Sequence, residues 1–338
     1  MSPNWETFLS EVNARLMHSN STERTPADLT GKPTISAIPH LGILAVSGKD
    51  AGSFLQGQTT CDILGQNRHS FGYGAICNPK GRALSNFMLV PVNEGFLLIL
   101  PTDLIDTIKK KLTMYVLRSE VNIASPGSEY CLLGIANIDH ENVPASPGID
   151  LPPNKHQVIS TDNLIAIKID DHRWILIAKP AAAINAWQAL VKNWQLTEAN
   201  DEQWGLCEIL AGTPWLSIET SELFVPQMFN LDCLGGISFN KGCYTGQEII
   251  ARTHYLGKQK RRMYLASYQS EYRVKPATPI YAQGHEQAIG QVVNSATYRN
   301  GEIRLLAVLK IEHSESNNIV LEDALDVPVK IQSLPYTF

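Results

Sequence analysis

Eight residues, Lys241-Gly-Cys-Tyr-Thr-Gly-Gln-Glu248, constrain this chain more than any other segment. They place a thiol, a cation and two glycines directly ahead of an apolar run. Thr245 and Glu248 stand at the T-x-x-E spacing of a capping box, which predicts a helix opening on Ile249, Ile250 and Ala251. Cys243 then lies just before a helix N-terminus, where unpaired N–H groups and the helix dipole favour an anion. Lys241 adds a full positive charge, and both effects favour the thiolate. Gly242 and Gly246 allow backbone angles or close approaches that a side chain would block. Two readings stand open. Cys243 is a functional thiol with Lys241 as its cation, or it is a small buried residue in a tight strand-to-helix turn, a common fate of free cysteine.

The rest of the chain sets looser bounds. Its 338 residues suffice for roughly two or three domains, each with its own core. With 44% hydrophobic and 18% charged residues it reads as a soluble globular protein. A net charge of −5 argues against direct nucleic-acid binding. No basic segment followed by an apolar core opens the sequence, and no apolar run reaches the length of a membrane span, so a cytoplasmic location without membrane contact is expected. The six cysteines form no C-x-x-C pair, so neither a zinc or cluster site nor a disulfide framework is expected. Cys61, Cys77, Cys131 and Cys207 sit among apolar or turn residues and read as packing residues.

Periodicity predicts helices over 4–18, from Ala51 through Leu55, and over 102–117, 180–194 and 201–211. Strands are predicted over 43–46, 73–77, 83–91, 96–100, 120–123, 130–135, 164–169 and 174–178. Residues 19–33 and 138–160 read as loops. Beyond Leu256, strands over 262–268, 289–296, 303–311 and 327–331 suggest an antiparallel barrel.

The octapeptide matches the K-G-C-Y-x-G-Q-E signature of YgfZ-type proteins at every specified position. Phe54-Leu-Gln-Gly-Gln-Thr-Thr-Cys-Asp62, Cys77-Asn-Pro-Lys-Gly-Arg82, Phe224-Val-Pro-Gln-Met-Phe-Asn-Leu231, Leu234-Gly-Gly-Ile-Ser-Phe239 and Leu334-Pro-Tyr-Thr-Phe338 also resemble that family's motifs. The resemblance runs from about residue 35 to the end. It implies an α+β fold like that of the T-protein of the glycine cleavage system: two α+β units and a C-terminal antiparallel β-barrel around a central channel. The expected division is residues 1–50 with 120–235, residues 51–119 with the motif segment 236–256, and residues 257–338.

The same resemblance implies tetrahydrofolate as ligand and iron–sulfur enzymes, including those that methylthiolate tRNA, as partners. In the octapeptide it marks Lys241, Gly242, Cys243, Tyr244, Gly246, Gln247 and Glu248. Trp204 matches a tryptophan of the family's folate pocket, and Leu41 stands where the family has a second aromatic. Lys80, Arg82 and Arg252 are candidates to line the channel. T-protein relatives carry a pterin-binding glutamate directly before Ala-Gly. Here Leu210 takes that place, and Glu208, two residues earlier, points elsewhere on a helix.

Three functions follow. The first is a folate-binding accessory factor for assembly or repair of iron–sulfur enzymes, working through Cys243. The second is a folate-dependent aminomethyl- or methyltransferase. The third is a non-catalytic interaction module.

Overall fold

A computed structural model describes residues 4–19, 29, 31–138, 149–284, 286–298, 301–315, 318–321 and 324–338. The loop expected over 19–33 lies mostly outside the described residues, as does the middle of the one expected over 138–160.

The chain opens with α1 (Trp5–Ser19) and β1 (Thr34–Ala37). A second unit follows: β2 (Leu41–Ser47), α2 (Ala51–Gln56), β3 (Gly72–Cys77), β4 (Ala83–Val92), β5 (Gly95–Pro101), α3 (Ile105–Val116) and β6 (Asn122–Ala124). Its five strands form an antiparallel sheet in the order β3-β4-β5-β2-β6. The chain then returns to the first unit with β7 (Cys131–Ala136), β8 (Val158–Ser160), β9 (Leu164–Lys168), β10 (Arg173–Ala178), α4 (Pro180–Trp194), β11 (Thr197–Ala199) and α5 (Asp201–Leu210). These strands and β1 make a six-stranded sheet, β11-β1-β7-β10-β9-β8, in which β1 and β11 run parallel. The six-stranded sheet thus draws on two separate runs of the chain, while β2 pairs with β5 along its whole length and also with β6.

The local sequence explains this layering. Strands β7 and β10 are apolar without alternation and buried at every position, as expected for strands covered on both faces. Trp174, Leu176 and Ala178 face α1 and α4, where Trp5 and Phe8 meet Trp187 edge-on. Ile175 and Ile177 face the central core shared with the second unit. Gly134 on β7 has a packing reason. A Cβ there would come within 2.1 Å of the Trp204 ring, so only glycine lets α5 lie against the sheet.

After α6 (Gln247–Tyr255) come β12 (Arg261–Gln269), β13 (Pro279–Ala282), β14 (Gly290–Thr297), β15 (Glu302–Lys310), β16 (Ile319–Leu321), β17 (Ala324–Pro328) and β18 (Lys330–Gln332). The single strand expected over 327–331 is two strands, the first ending on Pro328, which has no N–H for a ladder, and the second starting at Lys330. Strand β17 lies at one edge of the seven-stranded sheet and β18 at the other. Consecutive strands on opposite edges require the sheet to curl on itself, and the result is the nearly closed antiparallel barrel. No helix among the described residues is long and apolar enough to cross a membrane.

Candidate functional site

The octapeptide is fixed from both sides. Helix α6 begins at Gln247, and Gly246 is its N-cap at φ 85°, with no side-chain cap bond. Thr245 is thus not the cap, because the left-handed turn at Gly246 separates it from the helix; Glu248 is exposed on the first turn. A Cβ on Gly246 would lie 2.5 Å from the Asn78 carbonyl oxygen, and one on Gly81 would lie 2.9 Å from Cβ of Ile249. The Asn78–Gly81 turn therefore nests directly on the start of α6. Gly242 differs, since a Cβ there would meet nothing.

Lys241 turns to the loop after α2. Its Nζ donates to the carbonyl oxygens of Thr59 at 2.8 Å and Cys61 at 2.6 Å, and it lies over the ring of buried Tyr244 at 5.1 Å. Burial pushes the Lys241 amine down to about 8, against the pull of Cys61 and Asp62. Its role is to clip the octapeptide to the loop after α2. Cys243 itself is exposed, whereas Cys61, Cys77 and Cys131 are buried and Cys207 and Cys233 are half-buried. The buried-cysteine reading of Cys243 is overturned. Helix α6 also exposes Ile249, Tyr255 and Arg252, with Leu256 exposed just beyond its end, while His254 stacks on Phe239 at 3.8 Å.

A cavity of about 610 Å³ lies where the three units meet. The second unit contributes Tyr73, and the first contributes Asp170, Arg173 and the α5 face carrying Gln203, Leu206, Cys207 and Leu210. The tail after β18 closes it with Pro335 and Tyr336. The Tyr336 hydroxyl donates to the Gly212 carbonyl at 2.8 Å. Arg173 Nε donates to Asp170 Oδ2 at 2.7 Å, and its Nη2 to Thr213 Oγ1 at 3.3 Å. Burial pushes the Asp170 carboxyl up, but the Arg173 charge and the His172 N–H outweigh it and hold it below the usual carboxylate range. Two buried wall atoms, Arg173 Nη1 and Gln203 Oε1, have no hydrogen-bond partner.

The cavity and the thiol are joined by one segment. Cys233, Leu234 and Gly235 belong to the cavity wall. The chain then runs to Cys243, tied to Thr60 by its hydroxyl on the Gly236 carbonyl at 2.6 Å and by the Ser238 N–H on the Thr60 carbonyl at 2.9 Å.

The expected folate residues are not brought together. Trp204 is buried under Gly134 and is not among the cavity-lining residues, because its ring turns toward the sheet. Leu41 opens a separate cleft of about 360 Å³ beside Trp5 and Thr102. Lys80, Arg82 and Arg252 are also absent from the cavity wall. Asn78 Oδ1 accepts from the backbone N–H groups of Lys80 and Arg82, and the Arg82 guanidinium donates to the Leu223 carbonyl. Arg262, on β12, grips Asp232 with two bonds of 2.6 and 2.9 Å. Glu208 points away from the cavity, as its helical position implies, and bonds Trp215 Nε1 at 2.8 Å and His40 Nε2 at 3.0 Å.

Asp170, Arg173 and Gln203 were missed from the sequence. The available signal was a charged Asp-Asp-His-Arg run leading into an apolar strand, and a glutamine seven residues before Leu210, which puts both on one helix face. Among the described residues, no three His, Cys, Asp or Glu side chains group as metal ligands.

No family model matches the chain. The tRNA-modifying protein YgfZ of Pectobacterium carotovorum is 31% identical over 310 residues, covering 90% of this chain and 92% of its own length. The protein of the same name from Photobacterium profundum is 30% identical over 304 residues, with 88% and 89% covered. Among solved structures, the glycine cleavage system aminomethyltransferase T from Bartonella henselae superposes with a TM-score of 0.71. It covers 90% of this chain and 86% of its own at 14% identity, a likeness of fold.

Proposed function

The chain belongs to the YgfZ family of tRNA-modifying proteins, and on that premise we propose that it is a folate-binding accessory factor for iron–sulfur enzymes, including those that methylthiolate tRNA. In this reading Cys243 is the working thiol. It acts in the cytoplasm on a client enzyme, so tRNA is affected indirectly.

The observation that carries the reading is the exposure of Cys243. Lys241, Tyr244 and Gly246 hold the turn, and the thiol takes no part in holding it. Ile249, Tyr255 and Leu256 are exposed on the segment that follows.

Tetrahydrofolate fits the cavity on three counts. The volume is within the usual range for a small-molecule site. Tyr73, Leu206 and Leu210 supply apolar and aromatic wall. Asp170, Arg173 and Gln203 supply a few polar groups to the same wall. Bound folate would supply one-carbon chemistry; this chain's residues would bind and orient it.

The transferase alternative needs an acid or base at the folate nitrogens. Asp170 is a wall carboxylate, but it is committed to Arg173 and held below its ordinary range, which makes it a weak base at neutral pH.

Calorimetric titration with tetrahydrofolate tests the ligand. Saturable binding in the micromolar range is expected, weakened at least about tenfold by Ala211→Trp, which fills the cavity from its wall. No binding at millimolar folate, or unaltered binding in Ala211→Trp, would overturn the assignment.

A further inference from the structure

Strand β18 ends on Gln332, whose side chain is fixed to the barrel: Oε1 accepts from Arg304, and Nε2 donates to Ser267 Oγ at 3.0 Å. Beyond it the ties change in kind. Residues 334–338 belong to no helix or strand and, among the described residues, make no backbone-to-backbone hydrogen bond. Alternate side chains hold them, the spacing of extended chain lying on a surface. Leu334 packs against the central core, and the Tyr336 hydroxyl donates to the Gly212 carbonyl at 2.8 Å. The Phe338 ring meets Tyr264 edge-on at 5.4 Å, and the Arg262 guanidinium lies 5.4 Å from its centre. Pro335 and Thr337, between these anchors, are exposed, and Phe338 is itself 53% exposed. Gly212 is the seat. Its φ is 67°, and a Cβ there would come within 2.7 Å of both Leu334 Cδ2 and Tyr336 Cε1.

The segment has open space on both sides. Pro335 and Tyr336 wall the central cavity. Tyr336, Thr337 and Phe338 also wall a second cavity, of about 890 Å³, beside β18 and Tyr264. Tyr336 stands in both walls, so a single layer of chain separates the two spaces. Lifting that layer breaks no ladder. It breaks the bond from Tyr336 to Gly212, and water can take the place of each partner. The side chains that leave are half-buried or exposed. Segments with few apolar contacts and no protected backbone bonds open locally, well below the cost of global unfolding.

We propose that residues 334–338 are a hinged strap that lifts from Gly212 into the second cavity and opens a side entrance to the central one. The motion stands apart from the folate reading; that the entrance admits folate rests on it.

The test reads the strap through thiols. Cys207 and Cys233 stand in the central wall and report opening; Cys61 and Cys77, buried elsewhere, are the controls. The full chain carries Cys243→Ala to remove the exposed thiol. Tyr336→Phe keeps the ring and loses the bond to Gly212. It should raise maleimide labelling of Cys207 and Cys233 about two- to tenfold, the factor that one hydrogen bond commands. Phe338→Ala, which frees the far end, should also raise it. Cys61 and Cys77 should keep their rates. Unchanged labelling of Cys207 and Cys233 in both variants would overturn the strap. So would an equal rise at Cys61 and Cys77, which would mean general loosening. Failure to bind tetrahydrofolate in calorimetry would overturn the folate reading and leave the strap, read by labelling alone, intact.

Discussion

Reaction with a small maleimide at pH 7 should place one label on each chain, at Cys243, with the other five thiols at least about 100-fold slower. Both accessibility and chemistry lead there. Burial pushes the Cys61 and Cys207 thiols up to about 11 and those of Cys77 and Cys131 up to about 12. At neutral pH a thiol at 11 is thiolate in roughly one molecule in ten thousand, and thiolate is the reacting form. Cys233 is also raised, by burial and then by the neighbouring Asp232 carboxylate. Peptide mass mapping reads the result. Cys243→Ala should abolish the fast phase; a label on any other cysteine at a comparable rate would mean that exposure does not single out Cys243.

Gly246→Val should cost about 2–5 kcal/mol. A residue with a Cβ at φ 85° is disfavoured by roughly 1–2 kcal/mol. The added carbon would also sit 2.5 Å from the Asn78 carbonyl oxygen and 2.9 Å from the Gly81 Cα. Backbone on both sides cannot give way cheaply, which adds roughly 1–3 kcal/mol. Against a total stability of about 5–15 kcal/mol, that is enough to loosen the motif from the second unit. The control is Gly242→Ala, where the new carbon meets nothing and the change in stability should stay within about 0.5 kcal/mol. Urea unfolding of the three proteins decides it. Equal stabilities for Gly246→Val and the unmodified chain would refute the nesting of the 78–81 turn on α6.

Much of the fold was legible because apolar runs have strand and helix periods. Pro180–Trp194 is a helix over the residues expected, and β3, β4 and β5 form the expected meander. Strand β11, Thr197-Glu-Ala199, was not legible: it is short and polar, and owes its existence to parallel pairing with β1 more than 150 residues away in sequence. The split at Pro328 was visible in principle, since proline cannot continue a ladder. The site was less legible than the fold. The octapeptide pointed to Cys243, but spacing alone could not tell that Lys241 turns to Thr59 and Cys61, or that Gly246 needs to be glycine and Gly242 does not. The resemblance marks Trp204 as a pocket residue, yet its ring packs against Gly134 in the sheet. Arg173 and Gln203 share one cavity wall only through the tertiary packing of α5 on β1 and β7, next to β10 in the sheet, and the local runs that carry them do not show that they meet.

The central claim is that Cys243 is a functional thiol rather than a structural one. The most direct measurement is the level of methylthiolated nucleosides in tRNA from a bacterial strain lacking its own YgfZ protein, supplied with this chain or its Cys243→Ala variant. The account predicts that the unmodified chain restores the modification and that Cys243→Ala, at equal abundance and equal melting temperature, does not. Full restoration by Cys243→Ala would contradict it.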